Sequence, residues 1–442
     1  MLLCHSRVCG NLKKSGDYAS PERDAFGKVR NDSVCVIPAE AGTFENIINK
    51  DVFMKAKSIK GKSTEEIKTA LAECLVDGFK PTLAIVFISI KQDRNAICNL
   101  LTSKGIDIIG STSCGLFTNE FEDGYEGNGS VVVMLLDLDP DSYSILFENI
   151  GERKLSDVAA QMAKEALQKF NNPAFILCST YLSADGKVME GEPLVRSIEK
   201  VIGSQVNIFG GMAGDDISFT GTFVFTNEQS TDYGIAALVL NEDKIDLHGM
   251  AISGWKPVGV YKTVTKSEDN LIFTIDDKPA LEMYLRYLGS NVSTVEDQIN
   301  FFDSVGIYYP FQIERENREP LMCAPIGYDK EKEALICESK IEQGSSFRFS
   351  TPPDFDIVET VINKANELKN KTNADADAML IFSCASRLSA LGPLAQKENE
   401  GLAEVWNSPM AGFYTYGEFG RAVNGKHEFH STTCSWVALK EK

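Results

Sequence analysis

The chain has 442 residues, 43% of them apolar and 24% charged, which fits two or three globular domains and excludes a single small module, a collagen-like chain and a low-complexity chain. Forty-four Lys and Arg against 63 Asp and Glu leave a net charge of −19, a surface that repels phosphate backbones and argues against a nucleic-acid partner. The longest apolar runs, such as Ser130-Val-Val-Val-Met-Leu-Leu136, fall far short of the ~18 residues that span a bilayer, so a soluble, cytoplasmic protein without membrane insertion is expected.

Residues 1–50 read as a separate arm. Residues 1–34 carry six basic and four acidic residues and no helical or strand periodicity, and Met1-Leu-Leu-Cys4 is too short for a signal-peptide core. The stretch resembles a translated bacterial intergenic repeat, so it is expected to be disordered or an artefact of the gene start.

From residue 51 a unit becomes readable. Ser63 and Glu66 have the spacing of a capping box, and Ile67, Ala70, Leu71, Cys74 and Leu75 make one apolar helical face. Thr82-Leu-Ala-Ile-Val-Phe-Ile-Ser-Ile90 then reads as a strand covered on both faces. A second helix over 93–104, a strand through Ile106-Asp-Ile-Ile-Gly110 and further strands near 130–137 and 143–149 complete an α-β-α-β-β-β order. The order returns with a helix face on Ala159, Met162, Ala163 and Ala166, the strand Ala174-Phe-Ile-Leu-Cys178, a helix over 192–202, a Gly-bearing strand from Val206, and strands near 222–227 and 233–240. A third copy runs through Val358, Val361, Ile362 and Ala365, then Ala378-Met-Leu-Ile-Phe382, a helix near 396–406, Pro409-Met-Ala-Gly412 and a last strand to Ala438. Between the second and third copies, residues 252–350 read as a β-rich insert, with a turn at Asp269-Asn270 and a short helix from Pro279 to Gly289. The fold class expected is therefore α/β with mixed sheets, in two parts divided near residue 250: 51–250, and 251–442 made of the insert and an α/β unit over 351–442.

Each copy carries glycines just after its second strand: Gly110-Ser-Thr-Ser-Cys-Gly115, Gly210-Gly-Met-Ala-Gly-Asp-Asp216 and Gly412 to Gly417. Glycine permits positive φ and close backbone approach, so these loops are either structural turns or cradles for a small anion formed by N–H groups and the hydroxyls of Ser111, Thr112 and Ser113. Enzyme motifs fail on inspection: Ser111 stands where a nucleophile elbow around Ser113 needs glycine, and neither a dinucleotide fingerprint nor a P-loop occurs. Cys114 and Cys384 are the two candidate thiol nucleophiles, although no histidine lies near them in sequence and the apolar strand before Cys384 favours burial. The other cysteines sit mostly in apolar runs such as Phe175-Ile-Leu-Cys178, and all eleven lack C-x-x-C spacing; they read as reduced core thiols.

His427 and His430 lie three apart in a strand, on opposite faces and poorly placed for one metal. His248 shares a strand face with Asp246 and Met250, as a candidate haem axial ligand or an ordinary surface or core histidine. Arg387 just after an apolar strand and Glu418 just after Gly417 are the opposite charges that hold a zwitterion, or a salt bridge to each other. Asp215 and Asp216 read as ammonium ligands, caps or turn residues.

In Ile109-Gly-Ser-Thr-Ser-Cys-Gly115, Phe209-Gly-Gly-Met-Ala-Gly-Asp-Asp216, Gly254-Trp-Lys-Pro-Val-Gly259, Val264-Thr-Lys266, Pro279-Ala280 and Ala411-Gly-Phe-Tyr-Thr-Tyr-Gly-Glu418 the sequence resembles the FIST family (F-box and intracellular signal transduction proteins), over residues 55–440. Leu116 departs from it, since the family commonly has an acidic residue there. The resemblance implies a cytoplasmic bacterial sensor that binds an amino acid or related metabolite; with no recognisable catalytic motif, neither an enzyme activity nor a cofactor is expected. It also implies that the sensor signals to a separate protein such as a histidine kinase, a cyclic-dinucleotide enzyme or a chemoreceptor. The glycine loops and the two opposite charges read above then supply the expected ligand residues: Ser111, Thr112, Ser113, Cys114, Gly210, Gly211, Asp215, Asp216, Arg387, Tyr416 and Glu418. Haem-binding relatives that sense nitric oxide and regulate histidine kinases make His248 the residue of the alternative reading, and a Cys-dependent enzyme is a second alternative.

Overall fold

The computed structural model describes residues 54–123, 129–289, 302, 305–423 and 425–442; the expected arm, with its cysteines and His5, lies outside them. The first repeat runs β1 (Lys55–Gly61), α1 (Thr64–Cys74), β2 (Leu83–Ile88), α2 (Arg94–Thr102), β3 (Asp107–Thr112), a hairpin of β4 (Leu116–Thr118) and β5 (Phe121–Asp123), and β6 (Val131–Asp137). The second runs β7 (Tyr143–Asn149), α3 (Leu155–Lys169), β8 (Pro173–Ser179), α4 (Gly191–Ile202), β9 (Ile208–Met212), a hairpin of β10 (Val224–Thr226) and β11 (Ser230–Thr231), and β12 (Gly234–Asn241). The third opens with β13 (Ile245–Ile252). After it come the insert strands β14 (Lys256–Glu268), β15 (Leu271–Ile275) and β16 (Lys278–Pro279), α5 (Ala280–Tyr287), β17 (Phe311–Ile313), β18 (Leu321–Cys323), β19 (Pro325–Asp329), β20 (Ala334–Cys337) and β21 (Ser346–Thr351). The repeat then resumes with α6 (Ile357–Thr372), β22 (Ala378–Cys384), α7 (Ala385–Leu391), α8 (Leu394–Trp406), β23 (Met410–Thr415), a hairpin of β24 (Glu418–Arg421) and β25 (His427–His430), and β26 (Cys434–Glu441).

Local chemistry sets these boundaries. Ser63 Oγ accepts from Glu66 N at 3.2 Å, while Glu66 Oε2 accepts from the N–H of Lys62 at 2.9 Å, one residue earlier than in the usual capping box. Asp93 caps α2 by accepting from Ala96 N at 3.0 Å. Asn373 and Asn407 stop α6 and α8 in the left-handed region, at φ 48° and 47°.

The three repeats build three six-stranded sheets of one plan. Their orders are β1-β6-β2-β3-β10-β11, β7-β12-β8-β9-β24-β25 and β13-β26-β22-β23-β4-β5. In each, the inner pair (β2/β3, β8/β9 and β22/β23) is parallel. The last two strands of every sheet are borrowed: the second repeat lends its hairpin to the first sheet, the third to the second, and the first to the third. The exchange closes a ring.

β2, β8 and β22 are buried along their whole length. Alternate residues point into one shared core, where Ile85, Phe87, Ile176, Leu238, Leu380 and Phe413 pack together, and the others face the helices of their own layer. The strand expected at 143–149 is therefore not the close of the first unit. It pairs with β12 and opens the second.

The insert forms its own antiparallel sheet, β18-β17-β21-β14-β15-β20-β19, around Tyr284, Phe311, Leu335 and Phe347. Ion pairs hold it to the second and third repeats. Arg315 bonds Glu192 of α4 and Glu428 of β25, both at 2.7 Å, and Arg318 bonds Glu199 at 2.6 Å. Trp255 Nε1 donates to Tyr308 O at 2.9 Å.

Candidate functional site

The three glycine loops are the crossovers by which each hairpin leaves its own repeat. Gly110 is opposite Phe225, Gly210 opposite Phe419 and Gly412 opposite Phe117. A Cβ would stand 2.4 Å from the Phe225 ring at Gly110, 2.1 Å from the Phe117 ring at Gly412, and 2.0 Å from Leu177 O at Gly210, where φ is 140°. Packing of the borrowed hairpin thus requires glycine at 110 and 412, whereas at 210 the requirement comes from the positive φ and from the main chain of β8 in the same repeat.

The loop amides are largely committed to one another. Cys114 N donates to Tyr414 O at 2.9 Å, Gly214 N to Thr112 O at 3.0 Å, Asp216 N to Ser113 O at 2.9 Å and Tyr416 N to Met212 O at 3.2 Å. Ser111, Thr112 and Ser113 are fully buried. Thr112 Oγ1 accepts from Phe223 N, Ser113 Oγ donates to Ile88 O, and Ser111 faces the Cys178 thiol. Gly211 sits where a Cβ would touch Thr415.

One crossover departs from the plan. The phenylalanine of the borrowed hairpin follows its glycine by seven residues in the first and third repeats but by fifteen in the second, from Gly210 to Phe225. The extra length holds Asp215 to Gly221, and in it Asp216, Ile217 and Phe219 have φ of 54°, 60° and 51°. For β-branched Ile217 this is a strained conformation. Asp215 anchors the loop: its Oδ2 accepts from Thr220 N at 2.7 Å and Gly221 N at 3.1 Å, and its Oδ1 accepts from Tyr416 Oη at 2.6 Å. Asp216 Oδ2 accepts from Ser89 Oγ at 2.6 Å. Phe219, 57% exposed, stacks on Tyr416 with centroids 5.4 Å apart.

Tyr416 also touches the Cys114 thiol, which burial pushes up to about 12 against the pull of Tyr416 and the N–H groups of Asp215 and Ile217. Burial raises Cys384 as well, with the Glu418 carboxylate adding to it. Both are neutral thiols at pH 7, not the thiolates a nucleophile requires.

Arg387 and Glu418 are not partners of one another. The buried Arg387 guanidinium forks onto Glu398 at 2.8 and 2.5 Å and donates to Ser253 O. Glu418 accepts from Thr415 Oγ1 at 2.5 Å, Thr433 N at 2.9 Å and Thr433 Oγ1 at 2.8 Å, and burial raises it to about 8. His248 is half-buried and stacks on Trp406 at 6.4 Å. His427 and His430 are held at about 3, chiefly by burial, and contact Ile208 and Gly420 main chain respectively.

Tyr416 instead lines a cavity of about 200 Å³ at the junction of the second repeat, the insert and the third-repeat hairpin. Tyr181 and Met189 come from the second repeat, Met322 and Glu338 from the insert, and Phe429 and Ser431 from the third. The rings of Tyr181 and Tyr416 meet at 5.1 Å and 57°. Glu338 Oε1 accepts from Ala324 N at 2.9 Å and Ser431 Oγ at 3.2 Å, and burial raises the carboxyl to about 7. Neither Arg387, Glu418 nor His248 lines this cavity. A larger, more open cleft of about 780 Å³ lies between β1, the β4–β5 hairpin and α8, with Lys57, Lys60, Glu400 and Glu404 on its walls. Among the described residues no helix is long and apolar enough to cross a membrane.

The family model for the FIST N domain matches residues 82–278, and that for the FIST C domain matches residues 280–421. An uncharacterized protein of Methanocaldococcus jannaschii is 25% identical over 209 residues, 43% of this chain, and the chain spans 38% of that relative's length. FIST domains are sensory modules of signal transduction, and with both models matched in order across most of its length the chain belongs to the FIST family.

Proposed function

We propose that the protein is a small-molecule sensor, which binds a small polar ligand such as an amino acid or related metabolite in the cavity between Tyr181, Tyr416 and Glu338 and signals to a separate partner protein. The observation that carries this reading is the position of the cavity, whose walls come from three parts of the fold. A ligand there bridges the insert to the three-sheet body. The partner is a signalling protein such as a histidine kinase, a cyclic-dinucleotide enzyme or a chemoreceptor.

The coupling follows from differential binding. A ligand that touches Met322 and Glu338 of the insert together with Tyr181 and Tyr416 of the body favours the docked arrangement over any in which the insert shifts. The Arg315 and Arg318 ion pairs already hold that arrangement. The strained, lengthened crossover beneath Tyr416 is the element best placed to answer occupancy, because its hydrogen bonds to Asp215 depend on where the tyrosine sits.

Non-denaturing mass spectrometry of freshly purified protein tests the reading. A small non-covalent adduct that exchanges with an added amino acid or organic acid supports it. Bare protein that no member of such a set stabilises against heat, at millimolar concentration, sinks it.

A further inference from the structure

The cavity's chemistry is one-sided. Four carboxylates line it, Glu190, Glu192, Glu338 and Glu342, and the basic residue among them is the exposed Lys340, whose Nζ stands 3.9 Å from Glu342. Glu192 is already held by Arg196 and Arg315. Glu338 is different. Among the described residues its carboxylate accepts hydrogen bonds at Oε1, which leaves acceptor capacity for one more donor.

The apolar walls complement this carboxylate. Two tyrosine rings at 57° make a corner whose electron-rich faces attract a cation within about 6 Å of a ring centre. The thioethers of Met189, Met212 and Met322 supply soft, adaptable surface for a short apolar chain. Among the described residues no guanidinium lines the cavity to receive a carboxylate, and the nearby Arg315 is paired with Glu192 and Glu428. The net charge of −19 further enriches cations and depletes anions around the chain.

Resting on the sensor reading above, we infer that the ligand of this cavity is a small organic cation, an ammonium on a short apolar chain, with Glu338 as its counter-ion and Tyr181 and Tyr416 as its aromatic wall. The preference order is then amine over zwitterionic amino acid, over neutral alcohol, over carboxylic acid.

Four compounds sharing one branched skeleton separate these classes: 3-methylbutan-1-amine, leucine, 3-methylbutan-1-ol and 4-methylpentanoic acid. Calorimetric titration of the full chain at pH 7.5 is expected to show the amine binding at least about tenfold more tightly than the alcohol, with that advantage lost in Glu338→Gln. Should Glu338→Gln fold poorly, Glu190→Gln on the exposed rim keeps the test open and is expected to weaken the amine but not the alcohol. If the alcohol or the acid binds as tightly as the amine, the cation inference is overturned while the sensor reading stands. If none of the four binds at about 10 mM, the inference is overturned and the adduct experiment alone decides the sensor reading.

Discussion

Gly412 of the third repeat lies directly opposite Phe117 of the first, so close that a Cβ on the glycine would stand 2.1 Å from the phenylalanine ring. Gly110 bears the same relation to Phe225. These contacts join repeats that are far apart in sequence, and they close the ring of exchanged hairpins. Adding a methyl group at Gly412 is expected to destabilise the protein by about 2–4 kcal/mol through overpacking. Gly327→Ala, whose Cβ meets nothing nearer than 3.5 Å, is expected to change little. Urea unfolding of both variants measures this, and Phe117→Leu should recover part of the Gly412→Ala loss through pairwise coupling.

The Arg387–Glu398 pair is the second point of leverage. Both side chains are buried and bonded two-to-two. Removing one partner leaves an uncompensated charge in the core, so Arg387→Met is expected to cost about 3–5 kcal/mol, and the double variant Arg387→Met/Glu398→Leu to cost less than either single change. Equal, additive losses in chemical denaturation would show that the pair acts as two independent contacts.

Acid–base behaviour gives a third prediction. Burial raises Glu418 to about 8 in the fold, against about 4.3 for an unfolded glutamate. The folded state therefore holds the proton more tightly. The stability this confers is complete below the unfolded value and is lost as pH rises toward 8. Glu338, raised to about 7, acts in the same sense, whereas His427 and His430, lowered to about 3, lose stability as pH falls below about 6.5. Comparing wild type with Glu418→Gln isolates one group: the variant should gain on wild type steadily from pH 5 to pH 8. A constant difference across that range would contradict the assignment.

Thiol reactivity separates binding from catalysis. Cys114 and Cys384 are buried thiols, whereas Cys74 is half-buried at the end of α1. Brief alkylation of native protein at pH 7.5, followed by peptide mapping, should modify Cys74 well before Cys114 or Cys384. Preferential modification of Cys114 would revive a nucleophilic role.

The repeat was legible because β2, β8 and β22 are continuous apolar runs between amphipathic helices, a pattern set by burial on both faces. The hairpin exchange was not legible. β4 and β10 are three residues long, and nothing in a short strand names its partner. The glycines after the second strands were visible as turns or anion cradles, but at Gly110 and Gly412 the cause is a phenylalanine of another repeat, and at Gly210 it is the Leu177 carbonyl.

Tyr416 and Asp215 were legible in their motifs and are bonded to each other, but Tyr416 lines the cavity and Asp215 does not. Arg387 and Glu418 were visible as charges, yet their partners, Glu398 and Thr433, follow from packing alone. Tyr181, Glu338 and Ser431 carry no motif. They meet across more than 240 residues of chain, and only the docking of the insert brings them together.

A sensory role for this protein requires that a small ligand occupy the junction of insert and body. The direct measurement is a thermal-shift comparison, over one set of amines, amino acids and organic acids, between wild type and Leu321→Trp, which fills the cavity from the insert side. At least one compound is expected to raise the wild-type melting temperature and leave the variant unmoved. Equal stabilisation of both proteins, or of neither by any compound, would contradict it.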